Sequence, residues 1–71
     1  MDAQALVAAI VEQQLPPLAP RTPLNAIQGW DSLATVLLVG RLEEILGREL
    51  DETELERLVT LEDIENLLQV R

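Results

Sequence analysis

The 71-residue chain sets thirteen acidic residues against five arginines and no lysine, a net charge of −8. This balance excludes binding to a nucleic-acid backbone and opposes an anionic membrane surface. The absence of cysteine and histidine removes a disulfide framework, thiolate chemistry and the commonest general base and metal ligand, which disfavours an enzyme acting alone.

A chain of this length has room for one small domain over residues 1–71, burying about 60% of the surface that its unfolded form exposes. Trp30 is its only aromatic residue, so aliphatic side chains must fill the interior. The N-terminus lacks the basic and extended apolar segments of a signal peptide, and no apolar run reaches the length of a membrane span. With no cysteine to staple a small secreted fold, the expected home is the cytoplasm.

The first predicted element is an amphipathic helix from Ala3 to about Leu15. Ala3, Leu6, Val7, Ile10 and Val11 fall on one stripe at helical spacing. Asp2 is its expected N-cap, and Pro16 and Pro17 its expected stop. From Pro16 to Asp31 four prolines and a glycine interrupt regular structure. Leu18, Leu24 and Ile27 are expected to anchor this long loop in the core, with a short helical turn near Leu24 capped by Thr22.

The second helix is expected from Ser32 to Leu46, with Gly47 as its C-terminal stop. It carries two apolar stripes. Leu38, Val39, Leu42, Ile45 and Leu46 are expected to face the core. Leu33, Val36, Leu37 and Gly40 form a second stripe that so small a bundle cannot bury fully, and which is expected to meet other proteins. Leu50 reads as a core anchor in the next connection. Thr53 with Glu56 matches a capping box opening a short helix, whose apolar contacts would be Leu55, Leu58 and Val59. Thr60 with Asp63 matches a second cap, opening a last helix with Leu61, Ile64, Leu67 and Leu68 at helical spacing. No strand pattern or repeat occurs. The expected fold is all-α, a small four-helix bundle with three longer helices, one short helix and a long loop between the first two.

Ser32 is the side chain on which function turns. Nucleophilic catalysis requires a base, and the chain offers neither histidine nor lysine. As a helix cap Ser32 competes with Asp31, which is at least as good; with Asp31 as cap, Ser32 becomes the first helical residue and structurally dispensable. An exposed hydroxyl at a helix N-terminus also suits a phosphoester, because free N–H groups and the positive end of the helix dipole face the added charge. A calcium loop starting at Asp51 fails, since Glu56 stands where glycine is needed. Between Glu43 and Glu65 ten acids face only Arg48 and Arg57, a solvated face that would attract basic partners. Trp30 either pins the loop or lines the path to Ser32.

Asp31-Ser32-Leu33, followed by Thr35-Val36-Leu37-Leu38-Val39 and Leu42-Glu43-Glu44-Ile45-Leu46-Gly47, resembles an acyl carrier protein. Thr22-Pro23-Leu24 before the motif and Thr60-Leu61-Glu62-Asp63-Ile64 after it extend the likeness along the chain. The resemblance implies a four-helix bundle in which Ser32 receives 4′-phosphopantetheine from coenzyme A through a phosphopantetheinyl transferase. It further implies a monomeric carrier that meets an acyl- or aminoacyl-loading enzyme and downstream synthase or tailoring enzymes. The implied partner face is Leu33, Val36, Leu37 and Gly40, edged by Asp31, Glu43 and Glu44. Ala34 and Leu37 stand where carriers of fatty acid synthesis often have acids, Arg41 adds a positive charge, and Leu46 replaces a family-typical phenylalanine. Recognition should therefore lean on apolar contact, as in a discrete carrier of a specialised pathway. Gly29-Trp30-Asp31-Ser32 departs from the Gly-Gly-x-Ser pattern of peptidyl carriers, so the cargo stays open. The competing reading is a non-catalytic acidic adaptor for a basic protein, with Ser32 only a cap.

Overall fold

The computed structural model describes residues 2–70, and it is all-helical. Its elements are α1 (Ala3–Val11), a 3-10 turn (Leu24–Ala26), α2 (Ser32–Leu46), α3 (Glu52–Glu56) and α4 (Leu61–Val70). Three longer helices and one short one thus surround the core, with the expected long loop between α1 and α2. α1, α2 and α4 pack against one another, and Leu6, Val7, Leu38, Leu42, Leu61 and Ile64 are almost wholly excluded from solvent. Leucine, isoleucine and valine fill the interior, as a chain with one aromatic residue requires.

α1 ends at Val11, the last residue of its apolar stripe, rather than at about Leu15. Asp2 caps it as expected, its Oδ1 accepting the Ala5 N–H at 2.7 Å. The helix stops at Val11 because Glu12 adopts a left-handed conformation (φ 55°), and the Gln13 N–H turns back to the Ala8 carbonyl at 3.1 Å. Pro16 and Pro17 therefore lie beyond the stop and do not cause it. Gln4 then holds the departing chain: its Nε2 donates to the Pro16 carbonyl at 2.9 Å, and its Oε1 accepts the Leu18 N–H at 2.8 Å.

The loop is tied down along its length. Leu24 and Ile27 are buried and Leu18 packs against the core. The turn at Leu24 forms, but Thr22 does not cap it: Pro23 occupies the cap position with no side-chain hydrogen bond. The loop backbone is instead spent on α4. The Leu61 and Glu62 N–H groups donate to the carbonyls of Thr22 and Pro20 at 3.1 and 2.7 Å, while the Leu24 N–H donates to the Val59 carbonyl at 2.9 Å. Two N–H groups that a helix start leaves without intrahelical acceptors are satisfied in this way.

α2 has the predicted bounds, ending at Gly47 in the left-handed region (φ 71°). The box opening α3 sits two residues earlier than Thr53–Glu56. Asp51 accepts the Glu54 N–H at 2.8 Å and Glu54 accepts the Asp51 N–H at 3.0 Å. Glu54 also forms a two-pronged pair with Arg48 at 2.8 and 2.7 Å. That hydrogen-bonded pair, with help from the Asp51 N–H, holds its carboxyl down at about 2. At the start of α4 the Thr60–Asp63 cap is present: Asp63 Oδ2 accepts the N–H groups of Thr60 and Val59 at 2.8 and 3.0 Å. Burial pushes the Asp63 carboxyl up, but these bonds and that from the Thr60 hydroxyl outweigh it and leave it below its ordinary value. Leu50 is buried as expected. Of the expected apolar contacts, Leu55 on the five-residue α3 and Val59 in the segment after it are exposed, whereas Leu58 packs against the core.

Candidate functional site

The approach to Ser32 begins at Gly29, whose φ of +88° lies in a region that side-chain-bearing residues rarely adopt. The Trp30 N–H donates back to the Ile27 carbonyl at 3.0 Å, which turns the chain into α2. Asp31 is the N-cap: its Oδ1 accepts the Ala34 N–H at 2.8 Å and its carbonyl accepts the Thr35 N–H at 3.2 Å. Ser32 is consequently the first helical residue and exposed. The cap role that competed for its hydroxyl belongs to Asp31.

Trp30 fills both roles left open for it. The indole packs against the core and also lines a cavity of about 640 Å³ on whose rim Asp31 and Ser32 stand. Its Nε1–H donates to Thr35 Oγ1 at 3.1 Å, and that hydroxyl lies 3.4 Å from the Asp31 carbonyl oxygen, to which it donates. Leu55, Leu58 and Val59 also line this open cavity. Nothing in the helical periodicity placed these residues opposite Ser32, since their spacing reads equally well as core.

α2 separates its two stripes as their angles require. Leu38 and Leu42 are fully buried, with Val39, Ile45 and Leu46 packed against the core. Leu33, Val36 and Leu37 are 63%, 66% and 45% exposed, and Gly40 lies among them with no neighbour within 4 Å of where a Cβ would stand. Ala34 is buried, so it lies off this face. Glu44 is exposed beside the stripe. Glu43 does not belong with it as a free edge charge: half-buried, it accepts the Leu50 N–H through Oε2 at 2.9 Å and fastens the connection after α2. A second cavity, about 450 Å³, opens between α1 and α2 beside Leu37, Arg41 and Glu44. It lies on the other side of the helix from the approach to Ser32.

Among the described residues no group of acids could hold a metal ion, and no helix is long and apolar enough to cross a membrane. The arrangement defines a small helical module that offers one hydroxyl at the start of its central helix, between an apolar cavity and an exposed apolar stripe. A family model described as the phosphopantetheine attachment site matches residues 3–68, and the chain belongs to that family. Domains of this family are sites of covalent 4′-phosphopantetheine attachment, and they generally meet a phosphopantetheinyl transferase and acyl-loading or synthase enzymes. No curated protein and no solved structure gives a significant match.

Proposed function

We propose that residues 1–71 form one carrier domain that holds acyl, aminoacyl or hydroxyacyl groups on a 4′-phosphopantetheine arm at Ser32. The domain presents them to enzymes of a polyketide, nonribosomal-peptide or fatty-acid-like pathway. The observation that carries this reading is the state of Ser32: it is exposed at the first position of α2 while Asp31 does the capping. The site also fits the group. Ser32 and Leu33 lie in the first turn, where N–H groups lack intrahelical acceptors, and the positive end of a 15-residue helix favours a phosphodiester.

In the loading step the Ser32 oxygen bonds to the phosphorus of the pantetheine phosphate. The pyrophosphate bond of coenzyme A breaks, adenosine bisphosphate leaves, and the hydroxyl proton passes to a base of the transferase. The thiol at the end of the arm supplies the thioester link to cargo. This chain's residues hold the serine in place, offer the cavity beside it and provide the docking face. That face is Leu33, Val36, Leu37 and Gly40, with Asp31 and Glu44 at its edge. The domain itself is a monomer of the cytoplasm and performs no catalysis.

The test is incubation with coenzyme A and a promiscuous phosphopantetheinyl transferase, followed by intact mass. The wild type gains one phosphopantetheinyl group and Ser32→Ala gains none. No gain in the wild type, or an equal gain in the variant, refutes the assignment.

A further inference from the structure

If Ser32 is the attachment point, an inference that rests on the carrier reading above, whatever holds its oxygen in place is part of the chemistry. Among the described residues the side-chain hydrogen bonds of this turn leave the Ser32 hydroxyl out. The first turn of a helix is also the part that frays, since its leading N–H groups lack intrahelical acceptors. The position of the serine oxygen therefore depends on the peptide group that joins Asp31 to Ser32.

That peptide is held by more than the helix ladder. Its oxygen, the Asp31 carbonyl, accepts the Thr35 N–H at 3.2 Å and lies 3.4 Å from Thr35 Oγ1, which donates to it. The same hydroxyl accepts the indole Nε1–H of Trp30 at 3.1 Å. A hydroxyl carries one proton, so accepting from the indole leaves that proton for the carbonyl, and each bond polarises the other. The indole is itself anchored: its rings pack against the core, and the Trp30 N–H donates to the Ile27 carbonyl at 3.0 Å. A relay thus runs from a core-anchored ring, through an exposed hydroxyl, to the peptide immediately before the serine. A helical threonine that only bonds back to the carbonyl four residues earlier weakens its helix slightly; here the indole gives the hydroxyl a second partner outside the helix.

We propose that Thr35, held by Trp30, is a positioning residue for the loading reaction. It fixes the Asp31–Ser32 peptide and so aims the Ser32 oxygen at the phosphorus whose pyrophosphate bond breaks, while the serine proton passes to the transferase. Misplacing a nucleophile slows the chemical step without weakening the encounter. Single-turnover loading, with a promiscuous phosphopantetheinyl transferase in excess and coenzyme A saturating, separates the two. It yields the rate at saturation and the transferase concentration that half-saturates it.

Thr35→Val lowers the rate at saturation about two- to tenfold, the range of one hydrogen bond, and leaves the half-saturating concentration unchanged. Thr35→Ser, which keeps the hydroxyl, restores the rate. Trp30→Phe slows loading as Thr35→Val does, and the double variant loses no more than the larger single loss, as for one coupled unit. Trp30 is the only tryptophan, so its single indole N–H resonance reports the relay directly: its exchange with water quickens in Thr35→Val and not in Thr35→Ser. Far-ultraviolet circular dichroism checks that each variant is helical, and the two Thr35 variants decide by themselves if Trp30→Phe is not. A wild type that takes no phosphopantetheine overturns the carrier reading, and the proposal falls with it. The proposal alone is overturned by a wild-type rate in Thr35→Val, by no recovery in Thr35→Ser, or by additive losses in the double variant. A loss confined to the half-saturating concentration also overturns it, since Thr35 would then be a contact of the transferase.

Discussion

Asp31→Ala and Ser32→Ala alter neighbouring residues at the same helix start, and the geometry assigns them opposite consequences. Asp31 Oδ1 accepts the Ala34 N–H at 2.8 Å, and truncation leaves that donor without its partner. Loss of such a cap costs about 0.5–2 kcal/mol, centred near 1. For a domain of this size 1 kcal/mol corresponds to a fall in Tm of about 4–8 °C. Ser32 is exposed at the first helical position, and a surface change away from caps and core stays within about 0.5 kcal/mol. Alanine is also the better helix former, which offsets any lost contact. Thermal and urea unfolding followed by circular dichroism measures both variants, with equal m-values confirming that the denatured states are comparable. A Ser32→Ala loss as large as that of Asp31→Ala would show that the hydroxyl is structural after all. It would then restore the reading in which Ser32 is only a cap on an acidic adaptor.

Gly40→Ala raises stability by about 0.8–1 kcal/mol, since a helix-interior glycine is replaced where the new Cβ meets nothing within 4 Å. It slows loading by the cognate enzyme if the α2 stripe is the docking face. Unfolding curves and loading rates on one preparation check the two effects, and unchanged loading removes Gly40 from that face. Glu54→Gln tests the depressed carboxyl. A group whose folded value, about 2, lies below its unfolded value near ~4.3 contributes stability present above the latter and lost as pH falls toward the former. Between those limits Glu54→Gln should therefore show a shallower fall of Tm with acidification than the wild type, and identical slopes would contradict the assignment.

Much of this architecture was legible because local chemistry and long-range packing agree along α2 and α4. Asp31 as cap, Gly47 as stop and the reciprocal Thr60–Asp63 pair are short-range interactions that side chains of the right type announce. The misjudged features all depend on partners distant in the chain or on competing local bonds. α1 stops at Glu12 through a left-handed turn; its apolar stripe does end at Val11, but no glycine or asparagine announces the stop there, and the next visible breakers are Pro16 and Pro17. Asp51 outcompetes Thr53 because Glu54 can serve both its N–H and Arg48. Glu43 looked like a free surface acid, but the amide that engages it, at Leu50, lies seven residues away across a turn. The residues of the cavity contributed by α3 and the segment after it were illegible for a different reason: apolar residues at helical spacing signal burial, whereas Leu55 and Val59 stay exposed.

The hydrogen bonds that join the loop to the start of α4 also set an order in time. Thr22, Pro20 and Leu24 find their partners only at Leu61, Glu62 and Val59, some forty residues later in the chain. Ser32 is therefore added to the chain well before the segment that holds its approach in place. A transferase that requires the assembled helix start would depend on residues 59–62 having docked on the loop, whereas one that accepts an extended serine would not.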